Sequence, residues 1–240
     1  MKYLIVTADD FGLTPGINAG IAQAFEHGIV RSASLMVRQP AAVAAADYAC
    51  AHPALALGLH LDLWDSVPEG QDWRRVYQRC AEKPAAIERE LRAQIARFVA
   101  LVGRAPGHLD THQHVHRREA VGAVVRHVAA ELGVPLREHS PVRYVGDFYG
   151  QDDRGAPWPE WISVERLLAM IDALPAGWTE FGCHAGFVAA DEALGGTMYR
   201  LERNDEVRTL CDPRVRVRLA RGDVRLASFT DFCTRCDTTP

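Results

Sequence analysis

Short apolar runs alternate with longer segments of helical periodicity along this chain. Residues 2–8 form an apolar run that is followed by two acids, a pattern that predicts a buried strand. Thr14 and Pro15 give the start signal of a helix, because Pro suits a first helical turn. The same alternation continues to the C-terminus. The pattern predicts strands over residues 2–8, 32–37, 55–63, 107–112, 134–137, 142–145, 179–183 and 224–228, and helices over residues 14–27, 41–51, 84–102, 119–132, 163–174, 200–210 and 214–221.

Strands that alternate with helices favour a parallel α/β sheet with right-handed crossovers. Seven or eight such units in 240 residues match the size of a single-domain (β/α) barrel over residues 1–232, followed by a tail over 233–240. A doubly wound open sheet is the alternative, but no GxGxxG follows the first strand and no Walker A sequence occurs. Residues 64–83 and 148–161 are predicted to be long loops that cover the site.

Composition narrows the class of protein. Hydrophobic residues make up 48% and charged residues 24%, a globular mixture that argues against extended disorder. A formal net charge of −4 gives no sign of a nucleic-acid partner. No apolar run approaches the ~18 residues of a membrane span, and the first residues lack the features of a signal peptide. We therefore expect a cytoplasmic enzyme with reduced cysteines, and a homodimer is the commonest assembly for such a protein.

Acids and histidines follow four of the predicted strands. Asp9 and Asp10 end the first strand, His60 the third, Asp110 the strand over 107–112 and His184 the strand over 179–183. Because the carboxyl ends of parallel strands meet on one face, we expect these side chains to share a site. Each has an ordinary alternative, since paired acids cap helices and single histidines are often hydrogen-bonded core residues. Four converging strand ends favour a functional site.

Three histidines alternate behind Asp110 in the string HLDTHQHVH, residues 108–116. If the strand continues, His112, His114 and His116 share one face. A solvated loop is the alternative, but three imidazoles beside a carboxylate favour a metal site.

The candidate ligands suggest a reaction. Imidazole suits zinc and other late first-row ions, and carboxylate suits most divalent cations. Two imidazoles and one carboxylate with open positions form a catalytic rather than a structural site. The remaining carboxylate and the distant histidine can serve as general base and general acid. These groups predict metal-assisted hydrolysis of an amide or ester, and no G-x-S-x-G nucleophile motif occurs.

Five strings carry a resemblance to a known family. They are TADDFG at 7–12, SASLMV at 32–37, GLHL at 58–61, HLDTHQHVH at 108–116 and FGCHAG at 181–186. The chain resembles the YdjC-like carbohydrate deacetylases, which include chitooligosaccharide deacetylases and hopanoid-biosynthesis-associated proteins. The resemblance runs from residue 3 to about residue 232. It implies a distorted TIM-like barrel that removes N-acetyl groups from amino sugars with one divalent metal ion, zinc or magnesium.

The resemblance also implies roles for individual residues. Asp10, His60 and His112 are the implied metal ligands. Asp9 is the implied catalytic base, and His184 the implied acid.

Other features concern the substrate. Relatives often carry Pro where this chain has Ala185, so the shape of that loop differs from the family pattern. The DLWD sequence after GLHL also differs, which suggests that residues 62–83 contact a different substrate. His114 and His116 are further candidates for substrate binding. Trp158 and Trp161 could stack on sugars, with core or lid packing as the alternative.

Two other functions stay open at this stage. One is another barrel metallohydrolase, such as an esterase or a cyclic amidase. The other is a sugar-binding relative that has lost catalysis.

Overall fold

A computed structural model describes residues 1–70, 72–152, 155–189 and 199–236. The strands are β1 (Lys2–Phe11), β2 (Ser32–Leu35), β3 (Ala56–Leu61), β4 (Trp64–Glu69), β5 (Asp72–Gln78), β6 (Leu109–Thr111), β7 (Arg143–Val145), β8 (Gly177–Cys183) and β9 (Val224–Ala227). The α-helices are α1 (Pro15–Glu26), α2 (Ala42–Ala51), α3 (Pro84–Val102), α4 (Glu119–Leu132), α5 (Val164–Asp172), α6 (Glu202–Leu210), α7 (Pro213–Leu219) and α8 (Phe229–Cys236). Two 3₁₀ helices span His112–Arg117 and Pro159–Ile162.

Seven strands form one parallel sheet in the order β6-β3-β2-β1-β8-β7, and β9 pairs with the first residues of β1. Each neighbouring pair along this order is parallel. Among the described strands, β6 and β7 form the two edges of this sheet. At the β6 edge, a single isolated parallel bridge joins Leu109 to Leu136. The protein thus has an α/β, barrel-like fold in which the curled sheet forms a half-barrel, and the predicted fold class is confirmed.

The core explains why the strands are apolar on both faces. Leu4, Val6 and Ala8 of β1 are fully buried and belong to one apolar cluster with Ile17 and Ile21 of α1. Helices that cover a parallel sheet bury both of its faces, so its strands read as continuous apolar runs rather than alternating ones.

The predicted start signal of the first helix is confirmed. Thr14 Oγ1 accepts a hydrogen bond from the Ile17 amide at 3.2 Å, and Pro15 occupies the first turn of α1. Gly103 and Gly133 end α3 and α4 in the left-handed region, at φ 77° and 65°.

Three local predictions were wrong. The segment predicted as a loop over 64–83 contains the antiparallel hairpin β4–β5, because its residues pair across a turn at Gly70, where φ is 67°. Residues 134–137 form no strand beyond the single bridge at Leu136. The strand predicted over 107–112 ends at Thr111.

The predicted boundary of a C-terminal tail falls inside α8, and residues 237–240 lie outside the described part of the chain. Residues 153 and 154 of the second predicted loop are also outside it. Among the helices that the structure describes, none is long and apolar enough to cross a bilayer.

Candidate active site

The carboxyl ends of the parallel strands open into a cavity of about 880 Å³. Its lining includes Asp9 and Asp10 of β1, His60 of β3, Thr111 of β6 and Gly182 of β8. His112, His114 and His184, which follow strand ends, line the same cavity. The strand ends therefore bring Asp9, Asp10, His60 and His184 together with His112 and His114, whereas the described residues that line the cavity do not include Asp110, His116, Trp158 or Trp161.

Asp10, His60 and His112 form a buried group whose potential ligand atoms all lie within 4.8 Å of one another. His60 Nε2 lies 3.4 Å from Asp10 Oδ1, and His112 Nδ1 lies 3.2 Å from the same oxygen. Within the described residues, this buried oxygen has no hydrogen-bond partner of acceptable geometry. A carboxylate oxygen faced by two imidazole nitrogens in this way fits a shared divalent cation.

Arg203 holds Asp10 in this orientation. The Arg203 guanidinium, which α6 carries, donates to Asp10 Oδ2 at 2.6 Å and leaves Oδ1 directed at the two histidines. Burial alone would raise the pKa of Asp10, but Arg203 and the rings of His112 and His60 keep it well below its usual value. The group is thus ionised, as a metal ligand must be.

Asp110 fixes the tautomer of His60. His60 Nδ1 lies 2.7 Å from Asp110 Oδ1, so its N–H donates to the carboxylate and Nε2 is left facing Asp10. Ser34 donates to Asp110 Oδ2 at 2.6 Å, and His108 Nε2 lies 3.0 Å from Ser34 Oγ. A carboxylate behind a histidine is the usual way in which proteins orient a metal-binding imidazole.

His112 has a corresponding support on the hairpin. Its Nε2 lies 3.4 Å from Asp65 Oδ1, and Gln113 Nε2 donates to the same oxygen at 2.8 Å. Asp65 belongs to β4, so the segment that was predicted to be a substrate loop also supports a candidate ligand.

The histidines of the HLDTHQHVH string do not share one face, which corrects the prediction for a continued strand. The strand gives way to a 3₁₀ helix, in which Gln113 and His114 have φ of 52° and 48°. His112 consequently faces Asp10, whereas His114 lies by Tyr144, with its Nε2 3.4 Å from the hydroxyl. Burial lowers the pKa of His114 to about 3.

His116 packs away from the cavity. Its Nδ1 lies 2.6 Å from Thr111 Oγ1, and its Nε2 lies 2.9 Å from Glu138 Oε2. The described residues that line the cavity do not include His116. These contacts indicate a structural role for His116. Its role in substrate binding stays a prediction.

Backbone strain is concentrated here. Asp10, Gln113, His114 and Glu138 are the described non-glycine residues with positive φ, between 48° and 65°, and all four line the cavity. Such conformations cost of order 1 kcal/mol or more each and persist where the surrounding structure holds them. Their concentration at one cavity supports the choice of this cavity as the candidate functional site.

Arg137 is the centre of a second buried network. It donates to both oxygens of Asp9, at 2.6 and 2.8 Å, and to Glu180 Oε1 at 2.7 Å. Its Nη2 also lies 2.9 Å from Asp110 Oδ2. Burial would raise the pKa of Asp9, but Arg137 lowers it below its ordinary value. Asp9, His60 and Asp110 also lie close enough together to hold a cation. Both oxygens of Asp9 already accept hydrogen bonds from Arg137, however, so the group of Asp10, His60 and His112 is the better candidate for a metal site.

His184 lies beside two aromatic rings that line the same cavity. Its ring centroid is 5.2 Å from that of Tyr149 and 5.4 Å from that of Tyr199. Its amide donates to Glu206 Oε2 at 2.5 Å, while Glu206 Oε1 accepts from the Tyr199 hydroxyl. Burial lowers the pKa of His184 to about 4, so the ring is neutral at neutral pH in the free protein, and its implied role as the acid stays a prediction.

Trp158 and Trp161 pair with each other, with ring centroids 4.6 Å apart, and Arg166 covers Trp161 at 4.6 Å. The described residues that line the cavity do not include either ring, so nothing supports the sugar-stacking interpretation. The tryptophans of the cavity are instead Trp64 and Trp73 of the hairpin.

Sequence reasoning missed the supporting residues Arg137, Glu180, Arg203 and Glu206. Glu180 had a visible signal, because it is a charged residue inside an otherwise buried strand that leads to His184. Arg203 and Glu206 lie three residues apart on one helix face, within a charged run that resembles a solvated surface.

Comparison with known proteins identifies the family of this chain. The family model described as YdjC-like protein matches residues 3–221. A carbohydrate deacetylase of Geobacillus stearothermophilus is 34% identical over 251 residues, which cover 96% of this chain and 98% of that protein. A chitooligosaccharide deacetylase of Serratia marcescens is 33% identical over 96% of this chain and 99% of its own.

Solved structures agree on the fold. A crystal structure from Enterococcus faecalis V583, named for cellobiose-phosphate cleavage, superimposes with a TM-score of 0.79 at 25% identity and covers 96% of this chain and 98% of that one. A family 4 acetyl xylan esterase of Clostridium thermocellum, at 12% identity and a TM-score of 0.55, covers 99% of this chain and 93% of that one and shows the shared fold alone. The family match, which spans most of the chain, and the relatives above 30% identity together show that this chain belongs to the YdjC-like family.

Proposed function

We propose that this protein is a metal-dependent carbohydrate deacetylase that hydrolyses the N-acetyl group of an amino sugar or glycoconjugate. The observation that carries the proposal is the buried group of Asp10, His60 and His112 on the cavity, with Asp9 and His184 lining the same space. The names of the relatives from Geobacillus stearothermophilus and Serratia marcescens support the choice of a carbohydrate amide as substrate.

The donor set suits one divalent cation. Asp10 Oδ1, His60 Nε2 and His112 Nδ1 would hold it, and Arg203, Asp110 and Asp65 would keep these atoms in place. Two imidazoles favour zinc or a similar transition metal over magnesium, which prefers oxygen ligands. When bound, such a cation polarises the acetyl oxygen and makes a water molecule more acidic.

Asp9 is the proposed general base. Its two oxygens accept hydrogen bonds from Arg137, which fixes the carboxylate on the cavity beside Asp10. Arg137 also keeps Asp9 ionised, because it lowers the carboxyl pKa. An ionised, oriented carboxylate can accept the proton of the attacking water.

His184 is the proposed proton donor to the leaving amine. An amine leaves poorly unless its nitrogen is protonated as the C–N bond breaks. The ring is neutral in the free protein, so it must first take up a proton from solvent, which it then donates to the amine nitrogen, and Asp9 afterwards returns the water proton to solvent. Negative charge that develops on the reacting acetyl group favours this uptake, since an anion nearby raises the pKa of an imidazole.

The experiment measures acetate release from N-acetylated glucosamine oligomers and from acetyl esters, with and without a chelator. We expect chelator-sensitive release from the N-acetylated saccharides. Turnover of esters alone would favour an esterase, and saccharide binding without any turnover would identify an inactive relative.

A further inference from the structure

The hairpin β4–β5 carries two tryptophans on the cavity with opposite environments. Trp64 is 3% exposed, whereas Trp73 is 56% exposed. The guanidinium groups of Arg75 and Arg118 lie over the Trp64 ring, at 4.7 and 5.4 Å from its centroid. In the part of the chain that the structure describes, no aromatic ring or guanidinium packs on Trp73 in this way.

The hairpin is fixed relative to the candidate metal ligands. Gln113 accepts from the Ser66 amide at 3.1 Å and donates to the Ser66 carbonyl at 2.7 Å. Gln113 directly follows His112, and Asp65 contacts the His112 ring. Trp73 is therefore held at a defined place on the wall of the cavity rather than on a remote surface.

We propose that Trp73 is a specificity-determining residue whose exposed indole binds the apolar face of the sugar ring next to the one that is deacetylated. This inference rests on the proposed function and deepens it by naming the residue of this chain that recognises a second sugar ring. A pyranose with equatorial substituents presents a face of C–H groups, which packs well on an indole.

The size and polarity of the cavity agree with such a ligand. About 880 Å³ lies near the upper end of the ~300–1,000 Å³ range of ligand pockets. Arg143 and Asp147 are exposed residues of the same lining and offer polar groups for sugar hydroxyls. Saccharide sites need both an apolar platform and such polar groups.

Steady-state kinetics on three variants tests the inference. Trp73→Ala should raise KM for an N-acetylated glucosamine disaccharide or trisaccharide by about five- to tenfold, with kcat unchanged, since stacking on an aromatic ring contributes to binding and not to the chemical step. Turnover of the small ester nitrophenyl acetate should not change. Trp73→Phe should keep most of the saccharide affinity.

Trp158→Ala is the matched control, because Trp158 is also 42% exposed but is not among the described residues that line the cavity. It should match the wild type on both substrates. An unchanged KM in Trp73→Ala, an equal loss on the small ester, or the same effect in Trp158→Ala would each overturn the inference.

Calorimetric titration of the same saccharides into the full chain separates this inference from the proposed function. If the wild type binds a trisaccharide but releases no acetate, the proposed function fails, and the inference still requires weaker binding in Trp73→Ala. If the wild type neither binds nor turns over any saccharide, both are overturned.

Discussion

At the scale of single residues, Asp9 and Asp10 are sequence neighbours whose carboxylates have different partners. Arg137 binds both oxygens of Asp9, whereas Arg203 binds only Oδ2 of Asp10 and leaves Oδ1 facing the two ligand histidines. The two acids can therefore divide the work of proton acceptor and metal ligand. Replacing either removes one charge from a buried ion pair, so the variants must first be checked for folding.

Asp9→Asn should keep the metal and lower kcat on an N-acetyl sugar by about 10²–10⁴-fold, because an amide cannot take the proton of water. Asp10→Asn should instead lower metal content, because it loses the anionic ligand. Metal analysis, kcat and thermal unfolding are measured on both variants. Equal loss of metal in the two would show that the roles are not divided in this way.

His184 provides the second prediction at this scale. His184→Ala should lower kcat on an N-acetyl sugar by about 10²–10⁴-fold while metal content stays normal, because the amine then leaves without its proton. A nitrophenyl acetate leaving group needs no proton, so the loss on that ester should be much smaller. An equal loss on both substrates would argue for a positioning or structural role.

At the scale of elements, the hairpin β4–β5 joins the substrate wall to the metal ligands. Asp65→Asn should weaken metal binding by about 10–100-fold, because the side chain that orients His112 becomes a poorer acceptor. The measurement is metal affinity by competition with a chelating dye. Glu69→Gln, an exposed residue of the same strand, is the control and should bind metal like the wild type. An affinity in Asp65→Asn that matches this control would contradict the proposed support.

The predicted and the missed parts of the site differ for physical reasons. The ends of the strands can be recognised in the sequence because buried parallel strands are apolar runs. An acid or a histidine directly after such a run, such as Asp10 or His60, is therefore easy to identify as a candidate. Arg203 could not be recognised, since its burial depends on how α6 packs against the carboxyl end of β1 rather than on the local pattern. The turn at Gln113 and His114 was also hidden, because positive φ at two consecutive non-glycine residues follows from tertiary contacts.

At the scale of the whole molecule, three buried histidines link stability to pH. Burial lowers the pKa of His108 to about 4, of His114 to about 3 and of His184 to about 4, against 6.5 in an unfolded chain. Between pH 6.5 and about 4 these three histidines therefore bind more protons in the unfolded chain than in the folded one. Their contribution to the free energy of unfolding should fall as the pH drops through this window, whereas Glu206, whose pKa burial raises to about 8, contributes in the opposite direction.

Urea unfolding of the metal-free protein at several pH values checks this expectation. His108→Gln removes one of the three groups, so the slope of the unfolding free energy against pH should be smaller in this variant than in the wild type over the window between pH 6.5 and about 4. An unchanged slope in His108→Gln would contradict the assignment of the His108 ring as neutral in the folded protein.

The central claim is that Asp10, His60 and His112 hold one divalent cation that deacetylation requires. The most direct measurement strips the protein of metal, titrates zinc back, and follows bound zinc and acetate release from an N-acetylated glucosamine trisaccharide together. We expect both to saturate at one zinc per chain, His60→Ala and His112→Ala to lose both, and His114→Ala, from the same cavity, to keep the zinc. Acetate release that persists in the stripped protein, or full zinc binding in His60→Ala and His112→Ala, would contradict the claim.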